Sequence, residues 1–149
     1  MSTIFRADAW RAPMICHAQM QYRKLMRVAV LEENLLWGPR LRQTLLAFGH
    51  DPHLVSPKQS AADPLPGVEV AIVNLSSTVF PPTEWVPRLR AAGILVIAHA
   101  GHKEKDLLEA ARGLECDYVA TNSEITNKLP QILEKLTEPS DRAGVEPIG

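Results

Sequence analysis

Residues 68–77, VEVAIVNLSS, constrain the fold more than any other part of the sequence. An almost unbroken run of β-branched and aliphatic residues ends there on a polar residue, Asn74, and turn-forming residues follow it. A short apolar run of this kind predicts a strand buried on both faces, as in a parallel sheet covered by helices. In open parallel sheets, ligands and chemistry are found beyond the carboxyl ends of the strands. Asn74 therefore marks the edge of the sheet at which we expect a functional site.

Strand patterns alternate with helical patterns along most of the chain. The predicted strands span residues 27–31, 53–56, 69–75, 94–98 and 116–120. Helical spacing of apolar residues predicts helices over residues 37–48, 83–92, 103–112 and 124–136, the last kinked at Pro130. Residues 57–67 hold three prolines, so the second crossover predicts one turn of helix at most, around residues 59–63. This order predicts an α/β fold with a single five-stranded parallel sheet, in the flavodoxin-like order 2-1-3-4-5, with the second helix short or missing.

The two ends of the chain differ from its centre. Residues 26–137 predict one domain, and the polar segment 138–149 predicts a disordered tail. Residues 1–25 have no sustained period and no signal-peptide core, so they predict a disordered extension or a start codon assigned too early. An alternative is a short segment that docks on a partner through its apolar residues, which are Ile4, Phe5, Trp10 and Met14.

Composition narrows the classes of partner. The formal net charge is −1, which gives no reason to expect nucleic acid or an anionic membrane as the main partner. No apolar run is long enough to cross a bilayer. The two cysteines, Cys16 and Cys116, do not have the spacing of a metal or redox motif, and this pattern indicates a reducing, cytoplasmic location.

Several common binding and catalytic motifs are absent from the sequence. The segment after the first strand, EENLLWGP, contains neither G-x-G-x-x-G nor the P-loop pattern. No G-x-S-x-G elbow surrounds Ser76 or Ser77, and the D-x-H-x-x-G pattern of corrin-binding domains is missing. The sequence therefore disfavours dinucleotide, nucleoside triphosphate and cobalamin binding.

The segment from residue 27 to residue 136 resembles the receiver domain of bacterial response regulators, which has five strands and five helices in this order. Glu32 and Glu33 match the acidic pair that holds a magnesium ion in that family. Asn74 stands at the position of the aspartate that accepts a phosphoryl group there. Tyr118 matches the aromatic residue of the family's fifth strand. The resemblance implies a signalling module of a two-component system.

Three positions depart from the receiver pattern. Asn74 replaces the nucleophile, Ala100 stands where the fourth strand of the family ends on Ser or Thr, and Thr121, followed by Asn122, replaces the Lys-Pro pair. Phosphotransfer needs an oxyanion nucleophile together with cationic assistance. The departures predict a degenerate, stand-alone pseudo-receiver that is not an enzyme, needs no cofactor and acts by phosphorylation-independent contact with a protein. A conventional receiver that uses Ser76 or Ser77 as its acceptor is a further alternative.

A function of another class is a flavodoxin-like domain that binds a small molecule or a metal with strand-end residues. Glu32, Glu33 and the amide oxygen of Asn74 are the oxygen ligands that magnesium prefers. His99 and His102, expected in the loop after the fourth strand, could join one of the glutamates around zinc. The plain alternative is that the glutamates are solvated remnants and the histidines are ordinary loop residues.

The resemblance also implies a partner face built from the family's fourth helix, fifth strand and fifth helix. Its members in this sequence are Lys105, Glu109, Tyr118, Asn127 and Lys128. The partner would be another protein, or a second copy of the chain in a homodimer. Among the remaining aromatic and histidine residues, Trp37 and Trp85 are expected in the core, with a lid over the site as the alternative. His50 and His53 are expected at the surface.

Overall fold

A computed structural model describes residues 25–137. The predicted extension, apart from Leu25, and the predicted tail lie outside these residues. The strands are β1 (Arg27–Leu31), β2 (Asp51–Leu54), β3 (Val70–Asn74), β4 (Leu95–Ala100) and β5 (Tyr118–Thr121). The helices are α1 (Trp37–Ala47), α2 (Pro82–Ala91), α3 (Lys105–Gly113), α4 (Asn122–Asn127) and α5 (Leu129–Thr137).

The five strands form one parallel sheet in the order β2-β1-β3-β4-β5, which confirms the predicted topology. The register places Asn74 opposite His99 and places Ala100 opposite Thr121. All the strands therefore end at one edge, which we call the carboxyl edge.

Alternation along the strands divides the core between the two faces of the sheet. The buried strand residues packed with α1 and α5 are Val28, Val30, Val70, Ile72, Ile97 and Ala120. The buried strand residues on the opposite face, packed with α2, are Ala29, Leu31, Ala71, Val73 and Val96. Trp85 of α2 is 2% exposed and meets Phe80 edge-on, as expected for a core residue. Helices thus cover both faces, which is why the central strands read as continuous apolar runs.

The crossover from β2 to β3 contains turns instead of a helix. The backbone N–H groups of Gln59 and Asp63 each donate to the carbonyl three residues earlier, which closes two separate turns. Ala61 and Leu65 pack against the α2-side core and cover part of the sheet in place of a helix. A second helix that is short or missing was the prediction, and it is confirmed.

Two histidine predictions are wrong. His50, expected at the surface, is 5% exposed, and its Nδ1 atom accepts a hydrogen bond from the N–H of Met26 at 3.2 Å. His99, expected in a loop, lies within β4, because that strand runs two residues further than its apolar core indicates. Burial of the two rings is tolerated because residues distant in sequence contact their ring nitrogens.

The last predicted helix is divided into α4 and α5. The interruption falls at Lys128, two residues before Pro130, whose missing N–H would leave a gap in a continuous helical ladder. Thr121 is the N-cap of α4, whose first helical residue is Asn122. Thr121 and Glu124 form a reciprocal capping box, in which each side chain accepts from the other residue's backbone N–H.

Three helices end in the same way, but only two of them use glycine. Gly49 after α1 and Gly93 after α2 adopt positive φ angles of 84° and 79°. After α3 the equivalent residue is Glu115, with a φ of 62°. Its N–H donates to Arg112, and the following N–H donates to Ala111, which is the hydrogen-bond pattern of a Schellman cap. Gly113, the glycine directly after the predicted helix 103–112, is instead the last residue of α3.

We expect Glu115→Gly to stabilise the protein, because glycine adopts this backbone conformation without the steric cost of a Cβ atom. The expected gain in the free energy of unfolding is about 0.5–1 kcal/mol, measured by urea denaturation. Glu115→Ala is the matched control, since it removes the carboxylate but keeps Cβ. An equal gain in both variants would attribute the effect to the carboxylate and contradict the backbone explanation.

Candidate functional site

Four polar side chains lie at the carboxyl edge of the sheet, on the same face as the apolar strand residues that pack against α1. Glu32 follows Val28 and Val30 on the α1 side of the sheet, and the same alternation brings Asn74 and His99 to that side. Asn122, the first residue of α4, completes the set. We call Glu32, Asn74, His99 and Asn122 the polar row. Asn74 is the last residue of β3, and His99 is the last but one of β4. Glu32 and Asn122 directly follow β1 and β5, so parallel pairing aligns the four residues.

Asn74 uses both ends of its amide within the site. Its Nδ2 atom donates to both carboxylate oxygens of Glu32, each at 3.0 Å. Its Oδ1 atom accepts from the backbone N–H of Ser76 at 3.0 Å and from the Ser76 hydroxyl at 2.8 Å. The orientation of the amide is fixed, because the backbone N–H of Ser76 requires an acceptor.

His99 joins the first and last members of the polar row. Its Nε2 atom lies 3.5 Å from Oε1 of Glu32, and both side chains are 1% exposed. Its Nδ1 atom lies 2.7 Å from Oδ1 of Asn122, a carbonyl oxygen that can only accept. Nε2 has no directed hydrogen bond within the described residues, so its contact with Glu32 is electrostatic. Both ring nitrogens therefore face oxygen atoms of residues that are distant in sequence.

Glu32 is a buried carboxylate held in its ionised form. Burial by itself would raise the pKa of Glu32, but the contacts with His99 and Asn74 and the backbone N–H of Asn34 outweigh it. The net result is a pKa below the ordinary value. A carboxyl group of this kind stabilises the folded state above its unfolded pKa, and this contribution is lost as the pH falls through the folded pKa.

We therefore expect the free energy of unfolding to decrease as the pH falls below about 4.3, the ordinary pKa of glutamate. Urea denaturation between pH 7 and pH 3 measures the decrease. The Glu32→Gln variant should show a flatter profile over the same range, since it has no proton to gain at this position. Parallel profiles for the two proteins would mean that Glu32 is not the source of the acid sensitivity.

Glu33 points away from the polar row, as alternation requires. Its Oε1 atom accepts from the Ser77 hydroxyl at 2.5 Å, and Ser77 Oγ in turn accepts from the N–H of Phe80 at 2.8 Å. Ser77 is 6% exposed. The Glu33–Ser77 contact therefore ties the loop after β1 to the loop after β3, and it occupies the hydroxyl of Ser77.

Two of the predicted site residues lie outside the polar row. Ala100 faces the other side of the sheet, where it packs with Ala98 and Ala111 beside α3. The side chain of Thr121 is engaged in the cap of α4. The residue of β4 that faces Asn74 is His99, one position before the alanine named from the sequence. Asn122 was not singled out as a member of the site, although the alternation from Tyr118 through Ala120 indicated it.

The structure brings together few of the candidate metal ligands. Within residues 25–137, no three His, Cys, Asp or Glu side chains lie close enough to hold one metal ion. Glu32 and His99 meet, Glu33 turns to Ser77, and His102 is exposed in the turn after β4.

The residues of the predicted partner face have mixed exposure. Lys105 and Glu109 lie exposed on α3, one helical turn apart, and Asn127 and Lys128 are exposed where α4 meets α5. Tyr118 is half-buried and packs against the core under α5.

Within residues 25–137, no helix is both long and apolar enough to cross a lipid bilayer.

Several solved structures that are similar to this chain are receiver proteins of response regulators. The chemotaxis protein CheY4 of Vibrio cholerae is 10% identical over 76% of this chain and 99% of its own, with a TM-score of 0.62. A response regulator receiver domain protein from Clostridium thermocellum is 12% identical over 80% and 99% of the two chains, with a TM-score of 0.65. A receiver protein from Burkholderia phymatum is 15% identical over 74% and 94%, with a TM-score of 0.63.

No protein-family model and no curated protein matches the sequence. At these low identities the structural likeness establishes the fold, which is the fold of response-regulator receiver domains. The resemblance inferred from the sequence is confirmed at that level. The function of the carboxyl edge depends on its own side chains and not on the fold alone.

Proposed function

We propose that this chain is a receiver-fold signalling module that has lost phosphotransfer and acts by contact with another protein. The observation that carries the proposal is the engagement of Asn74. Its neutral amide stands at the end of β3, donates to Glu32 and accepts from Ser76. An amide cannot form an acyl phosphate, and this one is held by four hydrogen bonds in an arrangement that leaves no polar atom for an incoming phosphoryl group.

The same arrangement argues against an alternative acceptor. The hydroxyl of Ser77 donates to Glu33 and is buried, and the hydroxyl of Ser76 donates to Asn74. Each hydroxyl proton is therefore committed to a neighbouring oxygen, which for Ser76 is a neutral amide that is not a base and for Ser77 is a carboxylate inside a buried contact. A module of this kind fits a cytoplasmic two-component pathway in which the signal passes through an interface and no reaction is catalysed.

Treatment with acetyl phosphate and magnesium, followed by intact-mass measurement, tests the loss of phosphotransfer. We expect no phosphoryl adduct on the wild-type chain. The Asn74→Asp variant should also remain unlabelled, because it restores the nucleophile without the hydroxyl or the lysine. Stable, magnesium-dependent labelling of either protein would contradict the proposal.

The surface that we propose for partner contact comprises Lys105, Glu109, Tyr118, Asn127 and Lys128. Self-association through this surface can be measured by sedimentation equilibrium. Charge reversal at an exposed interface position should weaken the association, so we expect Lys105→Glu to shift the chain towards monomer. Lys58→Glu, on the exposed crossover between β2 and β3, is the matched control. Equal effects of the two reversals, or a wild-type chain that is monomeric throughout, would contradict a homodimer formed by this face.

The alternative of a small-molecule or metal-binding domain has less support. It needs Glu32, Asn74 and His99 to present free polar atoms to a ligand. Their contacts instead run to one another, and His102 stands apart from them. The geometry therefore favours a closed polar row over an open binding site.

A further inference from the structure

Receiver domains hold a magnesium ion at the carboxyl edge, and the residues here do not fit one. We propose that the side-chain amide of Asn74 and the ring of His99 occupy the place of a divalent cation beside Glu32, so that the chain's own nitrogen groups surround this carboxylate. This inference rests on the proposed function and deepens it, because a built-in donor set would hold the edge in a single state.

The first observation is the atom that Asn74 presents to Glu32. Magnesium takes oxygen ligands at about 2.0–2.1 Å, but the group that faces both oxygens of Glu32 is the Nδ2 nitrogen, at 3.0 Å from each. The amide oxygen, which could ligate a metal, is turned to the backbone and hydroxyl of Ser76. Presenting that oxygen to a metal would sacrifice the hydrogen bonds on both sides of the amide.

The second observation is the ring of His99 on the same carboxylate. Its Nε2 atom lies 3.5 Å from Oε1 of Glu32, and Asn122 anchors the opposite side of the ring at 2.7 Å. The histidine and glutamate side chains are each 1% exposed. A cation at Glu32 would have to displace a buried ring that is anchored at Nδ1 and lies against the carboxylate with Nε2.

The third observation is that the carboxylates of Glu32 and Glu33 do not point towards a common position. Glu32 and Glu33 are consecutive and point in opposite directions, the first to Asn74 and the second to Ser77. A magnesium site needs several oxygens directed at one point. Here one carboxylate is satisfied by internal nitrogen donors, and the other is satisfied by a serine hydroxyl.

The test is a titration of the full chain with Mn²⁺, a paramagnetic substitute for magnesium. Selective broadening of the amide signals of Glu32, Asn74 and His99 locates binding, and electron paramagnetic resonance of free Mn²⁺ gives its affinity. We expect no selective broadening in the wild-type chain. We expect Asn74→Asp/His99→Thr, which removes the amide and the ring beside Glu32 and adds a carboxylate, to bind Mn²⁺ about tenfold to a hundredfold more tightly than the control variant.

The control variant is Asn74→Asp/Ala100→Thr, which places the same hydroxyl one residue later, on the α3 side of the sheet. It keeps His99, so its affinity should stay near that of Asn74→Asp alone. Folding of each variant is checked by its amide spectrum before titration, and the wild-type measurement needs no substitution at all.

Selective broadening at Glu32 in the wild-type chain would overturn the inference. So would a folded Asn74→Asp/His99→Thr variant that binds no better than the control. Labelling by acetyl phosphate is measured on the same wild-type samples. Metal binding without labelling defeats this inference alone, whereas labelling defeats the proposed function.

Discussion

Replacing Asn74 by aspartate is expected to lower the free energy of unfolding by about 3 kcal/mol or more at pH 7 in the absence of divalent cations. The substitution nearly preserves shape, and it keeps the oxygen that accepts from Ser76. It replaces the nitrogen that donates to Glu32 with an oxygen, so two carboxylates would stand about 3 Å apart, a distance at which both do not remain ionised. Equilibrium urea denaturation in the presence of a chelator measures the loss.

The pH dependence of this loss has a definite sign. Repulsion raises the folded-state pKa of the new carboxyl pair above its unfolded value, so the deficit relative to wild type is largest at high pH. It should shrink as the pH falls and one carboxyl of the pair takes up a proton. Asn74→Ala is the control, because it removes the donor without adding a charge and should lack this recovery. If Asn74→Asp is as stable as wild type at pH 7, Asn74 does not donate to Glu32 as described.

The topology of the sheet could be predicted from the sequence because each central strand is covered on both faces. Short apolar runs such as RVAVL (Arg27–Leu31) strongly favour a buried parallel strand, and the predicted bounds of β1 agree with the observed ones. The three prolines between β2 and β3 also acted locally, by preventing a helix. These features depend on short stretches of chain, so they can be recognised without knowledge of distant contacts.

Strand ends were harder to predict, because their residues depend on partners that are remote in sequence. β4 appeared to stop before His99, since a polar residue after ILVIA normally indicates a loop. The ring is buried nevertheless, because Glu32 and Asn122 meet its nitrogens from two other parts of the chain. His50 was misplaced for a related reason, since the N–H of Met26 satisfies its ring.

Part of the candidate site was predictable from alternation alone. Strand residues two apart share a face, so counting back from Asn74 and Glu32 reaches Ile72 and Val30, both on the α1 side. The same count in β4 selects His99, which alternates with Ile97, and excludes Ala100. Which β4 residue lies beside Asn74 depends on the register between the two strands. That register cannot be read from the sequence of either strand alone. The residue types at the carboxyl edge were thus predictable, but their pairing was not.

Replacing His99 by leucine should produce the second large effect, a loss of about 3–5 kcal/mol at neutral pH. Leucine fills the space of the ring, but it leaves the buried carboxylate of Glu32 without its nearby nitrogen and leaves Asn122 Oδ1 without a donor. Glu32→Gln alone removes the charge and should cost less. The double variant should then cost less than the sum of the single variants, with a coupling of about 1–3 kcal/mol measured by a double-mutant cycle.

The exposed pair formed by Arg112 and Glu109 provides the comparison for this cycle. Its nitrogen and oxygen atoms lie 2.9 Å apart, closer than the 3.5 Å between Nε2 of His99 and Oε1 of Glu32, but the two side chains are 72% and 69% exposed. A surface pair of this kind should show a coupling of about 0.5 kcal/mol or less. We therefore expect burial, more than distance, to determine the coupling energy of each pair. Additive effects at His99 and Glu32 would mean that the two side chains are only neighbours, and the polar row would then not act as a single unit that holds the carboxyl edge closed.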